Sequence, residues 1–597
     1  MKLAPEAHYR NNLGRILIEL KRPAEAIDLL AALIKEQPEY PKPYYALATA
    51  LDISGRAREA GSVLARLAEL AIGVRNVAVT NQVLAFLMAR PELPPEMARL
   101  GHYLRIAGDT KNAVAVFDRL CAAAPDDLGM VLARAVALLP MLSRDRAEQM
   151  AAREAYGQAL ADLAHRVEIA DPAALVLASK QVGFAKPFFL SYSGEDDREL
   201  QSLYGRSISR MMQAALPEYA TPLAPPPRDP DGRLRIGFAS SYLGQHSVSK
   251  LLNGWIYHLD RKRFRVFVYN LTPDRAADDD WVQKVAEAAD GGYRVGESET
   301  ADWAKRIAGD RLHALIFPEI GMETMTVRLA ALRLAPLQAS ACGHPVTSGL
   351  PTNDWFLTGN LVEPVGGEAH YTERLLRLPN LSIYYRPIPQ TAGKMTRAEF
   401  GLEADDVIYI CCQALYKYRP SEDDIPARIA EKVPNARFVY IGDPRAPTSV
   451  LLRERLSQPF AARGLNAERH LRFVPQIPLL RFQAFLELGD VFLDSIAWSG
   501  GNTTLEAATV GISIVTLGGP FMRGHFTAGI LKRLDLAEFI AGQVEDYVAL
   551  AVRLGREPEL RTAVCKRMAA NRPRLYEDLS PIEALADFLE KTAAPTA

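Results

Sequence analysis

The chain has 597 residues, 49% hydrophobic and 24% charged, too long for one core; at about 100–200 residues per domain it should fold as several units. Seventy Lys and Arg against 71 Asp and Glu leave a net charge of −1, which excludes the global basic field that non-specific nucleic-acid binding needs. The longest apolar stretches fall short of the ~18–20 residues that span a bilayer, and Met1-Lys2-Leu3-Ala4-Pro5 leads straight into a helical pattern with no signal-peptide core, so a cytoplasmic protein without a membrane span is expected.

The first third repeats itself. A shift of 34 residues superimposes Leu13 on Leu47, Leu17 on Leu51, Arg22 on Arg56, Glu25 on Glu59, Ala26 on Ala60, Leu30 on Leu64 and Leu33 on Leu67. The positions recur as Leu100, Leu104, Ala113, Phe117 and Leu120, with Gly14 matched by Gly101 and Pro38 by Pro125. Apolar residues at helical spacing, a small Ala at the crossing and a closing Pro describe a two-helix unit of tetratricopeptide (TPR) period. Gly73 to Pro95 breaks the register, and residues 128–165 stay helical without a clean match, as degenerate repeats or capping helices. Such units bury their apolar faces only by stacking, and the stack offers a concave groove to an acceptor protein or peptide. The alternative is that these helices only brace the rest of the chain.

Prolines cluster between Thr221 and Pro230 as a stiff linker, and beyond them the pattern changes. Leu234–Ser240, Phe264–Tyr269 and His313–Phe317 read as buried strands, with helices near Ser249–Leu259 and Thr300–Ile307. The pattern restarts with strands at Val407–Cys412, Phe438–Ile441, Leu471–Val474, Val491–Asp494 and Ser513–Leu517. Strand–helix alternation predicts two parallel, Rossmann-like lobes facing a cleft. The expected division is residues 1–215 as TPR-like and capping helices, 216–232 as linker, 233–395 as the first lobe, and 396–597 as the second lobe with C-terminal helices. Ligands of open α/β sheets bind at the carboxyl ends of strands, so the loops there carry the interest.

Gly500-Gly501-Asn502-Thr503-Thr504 follows a strand and opens a helix, which suits a pyrophosphate held by backbone amides and hydroxyls, with Glu506 one turn inside for ribose hydroxyls. An ordinary helix start, with Thr503 and Glu506 as a capping box, explains the same residues. Gln413-Ala414-Leu415-Tyr416-Lys417 leaves the first strand of the second lobe and places Lys417 to neutralise a leaving diphosphate; a surface lysine is the plainer alternative. His246, after the first strand of the first lobe, can act as base, orienter or hydrogen-bond donor. His344 and His525 occupy further glycine-containing loops. Asp278-Asp279-Asp280 reads as a solvated helix start before Trp281 rather than a metal-binding cluster, and neither an essential metal nor a cofactor is expected.

Taken in order, the repeats and the motifs R-I-G-F-A-S-S-Y-L-G-Q-H, A-P-L-Q-A-S-A-C-G-H-P-V-T-S-G, Q-A-L-Y-K-Y-R-P, F-V-P-Q-I-P and V-F-L-D-S-I-A-W-S-G-G-N-T-T-L-E-A resemble the O-GlcNAc transferase/SPINDLY glycosyltransferases, including bacterial relatives that glycosylate adhesins. The segment from Pro187 to Gln201 also looks like the one that precedes the catalytic region in bacterial members. The resemblance implies a metal-independent, inverting GT-B enzyme that moves GlcNAc, glucose or another hexose from a nucleotide diphosphate, usually UDP, to a Ser/Thr or Asn side chain. It implies His246 near acceptor and sugar, Lys417 on the diphosphate, Thr503 and Thr504 on the phosphates and Glu506 on the ribose. His344, in G-H-P rather than G-Y-P, and His525 resemble the adhesin-modifying branch. Ala414 stands for a family Gln, Asn502 for a His, and Leu479 and Phe485 for basic residues near the uracil, so a non-UDP donor is carried as an alternative. A TPR scaffold with a degenerate nucleotide lobe and a nucleotide-sugar epimerase are the others.

Overall fold

The computed structural model describes residues 5–74, 76–90, 92–272, 279–388 and 393–593. The chain divides into two compact units, Met1–Met141 and Leu142–Ala597.

In the first unit the repeat becomes helix pairs: Pro5–Glu19 with Pro23–Glu36, Lys42–Ile53 with Ala57–Gly73, and Met97–Ile106 with Thr110–Ala123. The repeating residues take equivalent places. Ala26, Ala60 and Ala113 are fully buried, and Arg22 and Arg56 each clamp the glutamate three residues on at 2.6 Å. At Gly14 and Gly101 a Cβ would meet Leu30 at 2.7 Å and Phe117 at 2.8 Å, so the missing side chain is what lets each pair close. The break in register is an inserted helix, Val77–Met88, started by the Asn76 side chain accepting from Val79 N at 3.2 Å. Leu128–Ala137 is the last helix of this unit.

The expected helical domain of residues 1–215 is therefore too long. The helices Arg146–Ile169, Pro172–Ser179 and Arg198–Ala215 belong to the second unit, because their polar groups are spent there. Arg153 pairs with buried Asp197 at 2.6 Å, Arg198 donates to Tyr371 O at 2.8 Å and Tyr204 to Ala185 O at 3.0 Å. Gly205 meets the loop at Gly349 so closely that a Cβ on it would lie 2.1 Å from Gly349 O. The proline-rich stretch is pinned rather than free: Tyr219 O accepts from Arg333 N at 2.8 Å, and Asp229 is buried against Arg235 and Arg265.

Two parallel sheets follow. The first holds β1 (Leu234–Ser240), β2 (Phe264–Asn270), β3 (Gly292–Arg294), β4 (Ala314–Phe317), β5 (Leu337–Ala341), β6 (Trp355–Gly359) and β7 (Arg374–Leu378), in the order β3-β2-β1-β4-β5-β6-β7. The second holds β8 (Val407–Cys411), β9 (Ala436–Ile441), β10 (Leu471–Val474), β11 (Val491–Leu493), β12 (Ser513–Leu517) and β13 (Ile540–Ala541), ordered β10-β9-β8-β11-β12-β13. The central strands β4, β9 and β12 are buried throughout, as both faces carry helices, and only Arg437, Ser513 and Thr516 interrupt their apolar runs. The order reverses between β1 and β4 in one sheet and between β8 and β11 in the other, and a crevice opens at each such point. The last helix, Ser580–Thr592, returns to the first lobe, where Arg263 pairs with Asp587 at 2.9 Å and Phe588 packs on Trp355, so the second lobe does not keep all of residues 396–597.

The lobes meet through Lys250 on the helix Ser247–His258 and Glu506 on the helix Asn502–Val510, 2.5 Å apart and both buried, and through Asn502 Nδ2 donating to Ser247 O at 2.9 Å. Lys250→Met strands the Glu506 carboxylate and should cost about 3–5 kcal/mol in urea unfolding, with Lys250→Met/Glu506→Leu recovering most of the loss. Gly205→Ala should destabilise the second unit by about 1–3 kcal/mol through overpacking, whereas Gly157→Ala, whose Cβ would find only Leu200 at 3.3 Å, should stay within about 0.5 kcal/mol. Thermal unfolding of both variants checks the contrast.

Candidate active site

The loops at the two switch points line one cavity of about 280 Å³, together with part of the segment before the first lobe. From the second lobe come Gln413, Tyr416, Lys417, Trp498, Ser499, Gly501, Asn502, Thr503, Arg523 and Phe526. The first lobe supplies residues 246–248, Leu251, Met322 and 342–345, and the preceding segment supplies Phe188 and Tyr192.

The glycine loop after β11 is shaped from below. Asp494 accepts hydrogen bonds from Gly500 N and Thr516 Oγ1, both at 2.7 Å, and burial pushes its carboxyl up to about 6 despite these donors. A Cβ on Gly500 would sit 2.5–2.7 Å from Thr504 Oγ1, Gln413 Nε2 and Thr503 Oγ1, so glycine is required there; Gly501 is under no such constraint. The helix starts at Asn502 without a side-chain cap, and Leu505 N to Gly501 O, 3.1 Å, is its first hydrogen bond. Amides of the preceding turn remain available to an anion. The capping box does not form. Thr503 Oγ1 instead accepts from Gln413 Nε2 at 2.9 Å, and Gln413 Oε1 accepts from Lys417 Nζ at 3.5 Å. Lys417 ends a short turn, Leu415–Lys417, and is half-buried in the cavity wall, not a surface lysine; desolvation lowers its ammonium to about 8.

Three of the candidate residues face away from the cavity. Thr504 is fully buried, 2.8 Å from Thr527 Oγ1, and Thr527 donates onward to Gly500 O at 3.0 Å. Glu506 is held by Lys250. His525 Nδ1 lies 3.2 Å from Gly519 O, and the histidine braces its own loop. Leu479 and Phe485 line no part of the cavity either: Leu479 is partly exposed on a short turn and Phe485 is buried in the core.

His246 lines the cavity in one tautomer. Its Nδ1 accepts from Val248 N at 3.2 Å, capping the helix Ser247–His258, so the neutral ring carries its proton on Nε2. The ring stacks on Tyr242 at 4.1 Å, and burial, with Lys250 nearby, lowers it to about 4. Of the three roles open to it, this arrangement suits hydrogen-bond donor. His344 stacks on Phe188 at 5.4 Å and is kept neutral, burial lowering it to about 3 with Arg523 adding to the effect.

The loops of the first lobe rest on Glu319, just past β4. It accepts from Ser240 Oγ at 2.9 Å and Ser241 N at 3.3 Å, and burial raises it to about 8. Asp279 caps the helix Asp280–Ala288 through Trp281 N at 2.8 Å and also holds Gln245 N at 2.9 Å; Asp278 lies outside the described residues. Among the described residues no three His, Cys, Asp or Glu side chains gather as metal ligands.

Sequence reasoning passed over Phe188, Tyr192, Tyr416, Trp498 and Arg523. Each lies beside a residue or motif it did weigh, and an unusual density of aromatic residues was the available signal. Arg523 is buried, ion-paired with Asp197 at 3.3 Å, over the Phe521 ring at 4.2 Å, with Nε unpartnered.

Comparison with known proteins agrees with this architecture. Residues 7–40 match the tetratricopeptide repeat model. The Arabidopsis thaliana protein named "Probable UDP-N-acetylglucosamine–peptide N-acetylglucosaminyltransferase SPINDLY" is 29% identical over 341 residues, 55% of this chain and 36% of the relative. Its namesake SEC, from the same plant, is 26% identical over 366 residues, 60% of this chain and 37% of the relative. The chain thus spans little more than a third of the length of these relatives. A variant of Thermobaculum terrenum O-GlcNAc transferase shares the fold, with TM-score 0.62 and 19% identity over 99% of this chain and 98% of that one. Residues 216–385 and 386–577, over half the chain, match the model of glycosyl transferase family 41, and the chain belongs to that family.

Proposed function

We propose that this protein transfers a hexose from a nucleotide diphosphate, UDP in the first instance, to a protein side chain with inversion at the anomeric carbon. The observation that carries this reading is the Lys417–Gln413–Thr503 chain beside the open helix start at Asn502, facing the first-lobe loops that hold His246 and His344. It puts a half-buried cation and free amides where a diphosphate gains charge as it leaves, and leaves the opposite wall for an acceptor. The names of the plant relatives support UDP-N-acetylglucosamine as donor and a peptide as acceptor. A groove of about 340 Å³ in the helical repeats, bordered by Asn11, Arg15, Tyr45 and Thr49, supports docking of the acceptor chain there.

In this mechanism the diphosphate lies across the N-terminus of the helix Asn502–Val510, with Lys417 on its leaving side. Thr503 and Gln413 hold one another and so keep Lys417 aimed inward. His246 offers its Nε2 proton to an oxygen in the cavity. Charge stabilisation comes from Lys417 and the amides, with no metal in the step. Glu506 meets the ribose only if it shares or gives up Lys250.

Lys417→Met should lower kcat by about 10²–10³-fold, the usual effect of removing a preorganised charge partner. Stability should move the other way. The folded state depresses the lysine from 10.5 to about 8, so below pH 8 its charge costs stability, and the variant should melt at the same temperature or higher at pH 7. In the wild type, kcat/KM should fall as pH rises through about 8 and the free enzyme loses this cation. Release of UDP from UDP-GlcNAc with an acceptor lysate, followed by acceptor mass, measures turnover and its pH dependence, and thermal melting at pH 7 measures stability; undiminished turnover in Lys417→Met overturns the assignment.

A further inference from the structure

The cavity has two chemically different ends. One is polar and cationic, built from Lys417, the Gln413–Thr503 pair and the helix start. The other is aromatic. Tyr192 stacks on Trp498 with centroids 4.2 Å apart and planes at 25°, Phe188 stacks on His344 at 5.4 Å and 20°, and Tyr416 meets Tyr192 edge-on at 4.7 Å. Trp498 joins the two ends: Lys417 Nζ lies 5.9 Å from its ring centroid, and His344 is 5.7 Å from it on the aromatic side.

Phe188 and Tyr192 come from neither lobe. They sit in the segment before the linker, and buried charge fixes that segment in place. Asp197 holds both Arg153, at 2.6 Å, and Arg523, at 3.3 Å, while Glu195 O accepts a hydrogen bond from Arg523 at 2.5 Å. Tyr192 lies within a single tight turn, Leu190–Ser193, all of it buried. Two charged anchors and a closed turn are more than a filler of empty space requires. They preorganise a surface.

An anion avoids the negative face of an aromatic ring, so the diphosphate stays at the Lys417 end. What adjoins it on the aromatic side must offer apolar C–H groups on one face and polar groups toward the first-lobe loops. A pyranose ring has that form. We propose that Phe188 and Tyr192 are sugar-recognition residues, forming with Trp498 and His344 an aromatic subsite against the apolar face of the transferred hexose. The proposal rests on the nucleotide-sugar reading above and adds to it that the segment ahead of the linker shares in choosing the sugar, alongside Trp498 of the second lobe and His344 of the first.

The test separates the sugar from the nucleotide. Affinities of the full-length protein for UDP, UDP-GlcNAc and UDP-glucose are measured by calorimetry for wild type, Phe188→Leu and Tyr192→Leu, with Phe188→Tyr and Tyr192→Phe as aromatic-preserving controls. Each Leu variant should bind the preferred UDP-sugar roughly five- to tenfold more weakly, the loss of one ring contact, with UDP affinity unchanged. The controls should stay within about twofold of wild type. Equal weakening toward UDP and UDP-sugar, or no change toward either, overturns the subsite while leaving the nucleotide-sugar reading intact. A wild type that binds none of the three ligands overturns both. Melting curves identify a variant that has unfolded, and the second position then decides.

Discussion

The active cleft depends on one buried carboxylate. Asp494 follows β11, feels Lys417 only through space, and has its ionised form held by Gly500 N and Thr516 Oγ1. These bonds turn the chain sharply after the strand, bring Gly500 against Gln413 and both threonines, and aim the first turn of the next helix at the cavity. Without an acceptor at that place, Gly500 N would be a buried donor with no partner, at about 1–3 kcal/mol, and the loop would have to open. The other contacts follow from its position: Thr527 closes on Gly500 O, Thr503 reaches Gln413, and Gln413 steadies Lys417. Tyr547 completes the support by donating to Asp494 O at 2.8 Å.

The first lobe answers with the same device in different residues. Glu319 lies beyond β4 as Asp494 lies beyond β11, and it collects Ser240 and Ser241 where β1 ends. Each lobe thus uses a buried acid at its topological switch point to shape the neighbouring loop. The difference is in what the loops present. The second lobe presents amides and a lysine, which suit an anion; the first presents neutral imidazoles, which donate without adding charge. Balanced composition and a local cationic site are compatible for this reason: the cavity draws its positive charge from Lys417, Arg523 and one helix end.

Much of the fold was legible in the sequence. Leu234–Ser240, Leu471–Val474 and Ser513–Leu517 are strands with the expected bounds, because each is a largely apolar run between turn residues, Arg235 and Arg472 notwithstanding. Strand β5 was hidden, since Leu-Gln-Ala-Ser-Ala has little β character; Gln338 is buried there only because Leu334 N, Ala335 N, Leu332 O and Thr352 O satisfy its amide. The order of site motifs was legible too, though the direction of side chains was not. Thr504 shares a helix turn with Thr503, yet a rotation of about 100° per residue sends it into the interior, while Glu506, one turn on, is taken up by Lys250. The aromatic end was illegible for another reason: Phe188 and Trp498 lie far apart in sequence, and no local pattern encodes their meeting.

The polypeptide passes between the lobes twice, once between β7 and β8 and again after the helix Pro558–Asn571, when the last helix returns to the first lobe. A body tethered at two points to another keeps chiefly one free motion, rotation about the line through the tethers. Sliding and twisting would stretch one crossing or the other. Opening of the cleft is therefore a hinge movement with a fixed axis. Lys250 with Glu506 lies beside the crossings, where Tyr384 N donates to Leu251 O and Glu577 N to Tyr385 O, both at 3.0 Å, so that pair pins the pivot and leaves the far rim of the cleft free to part.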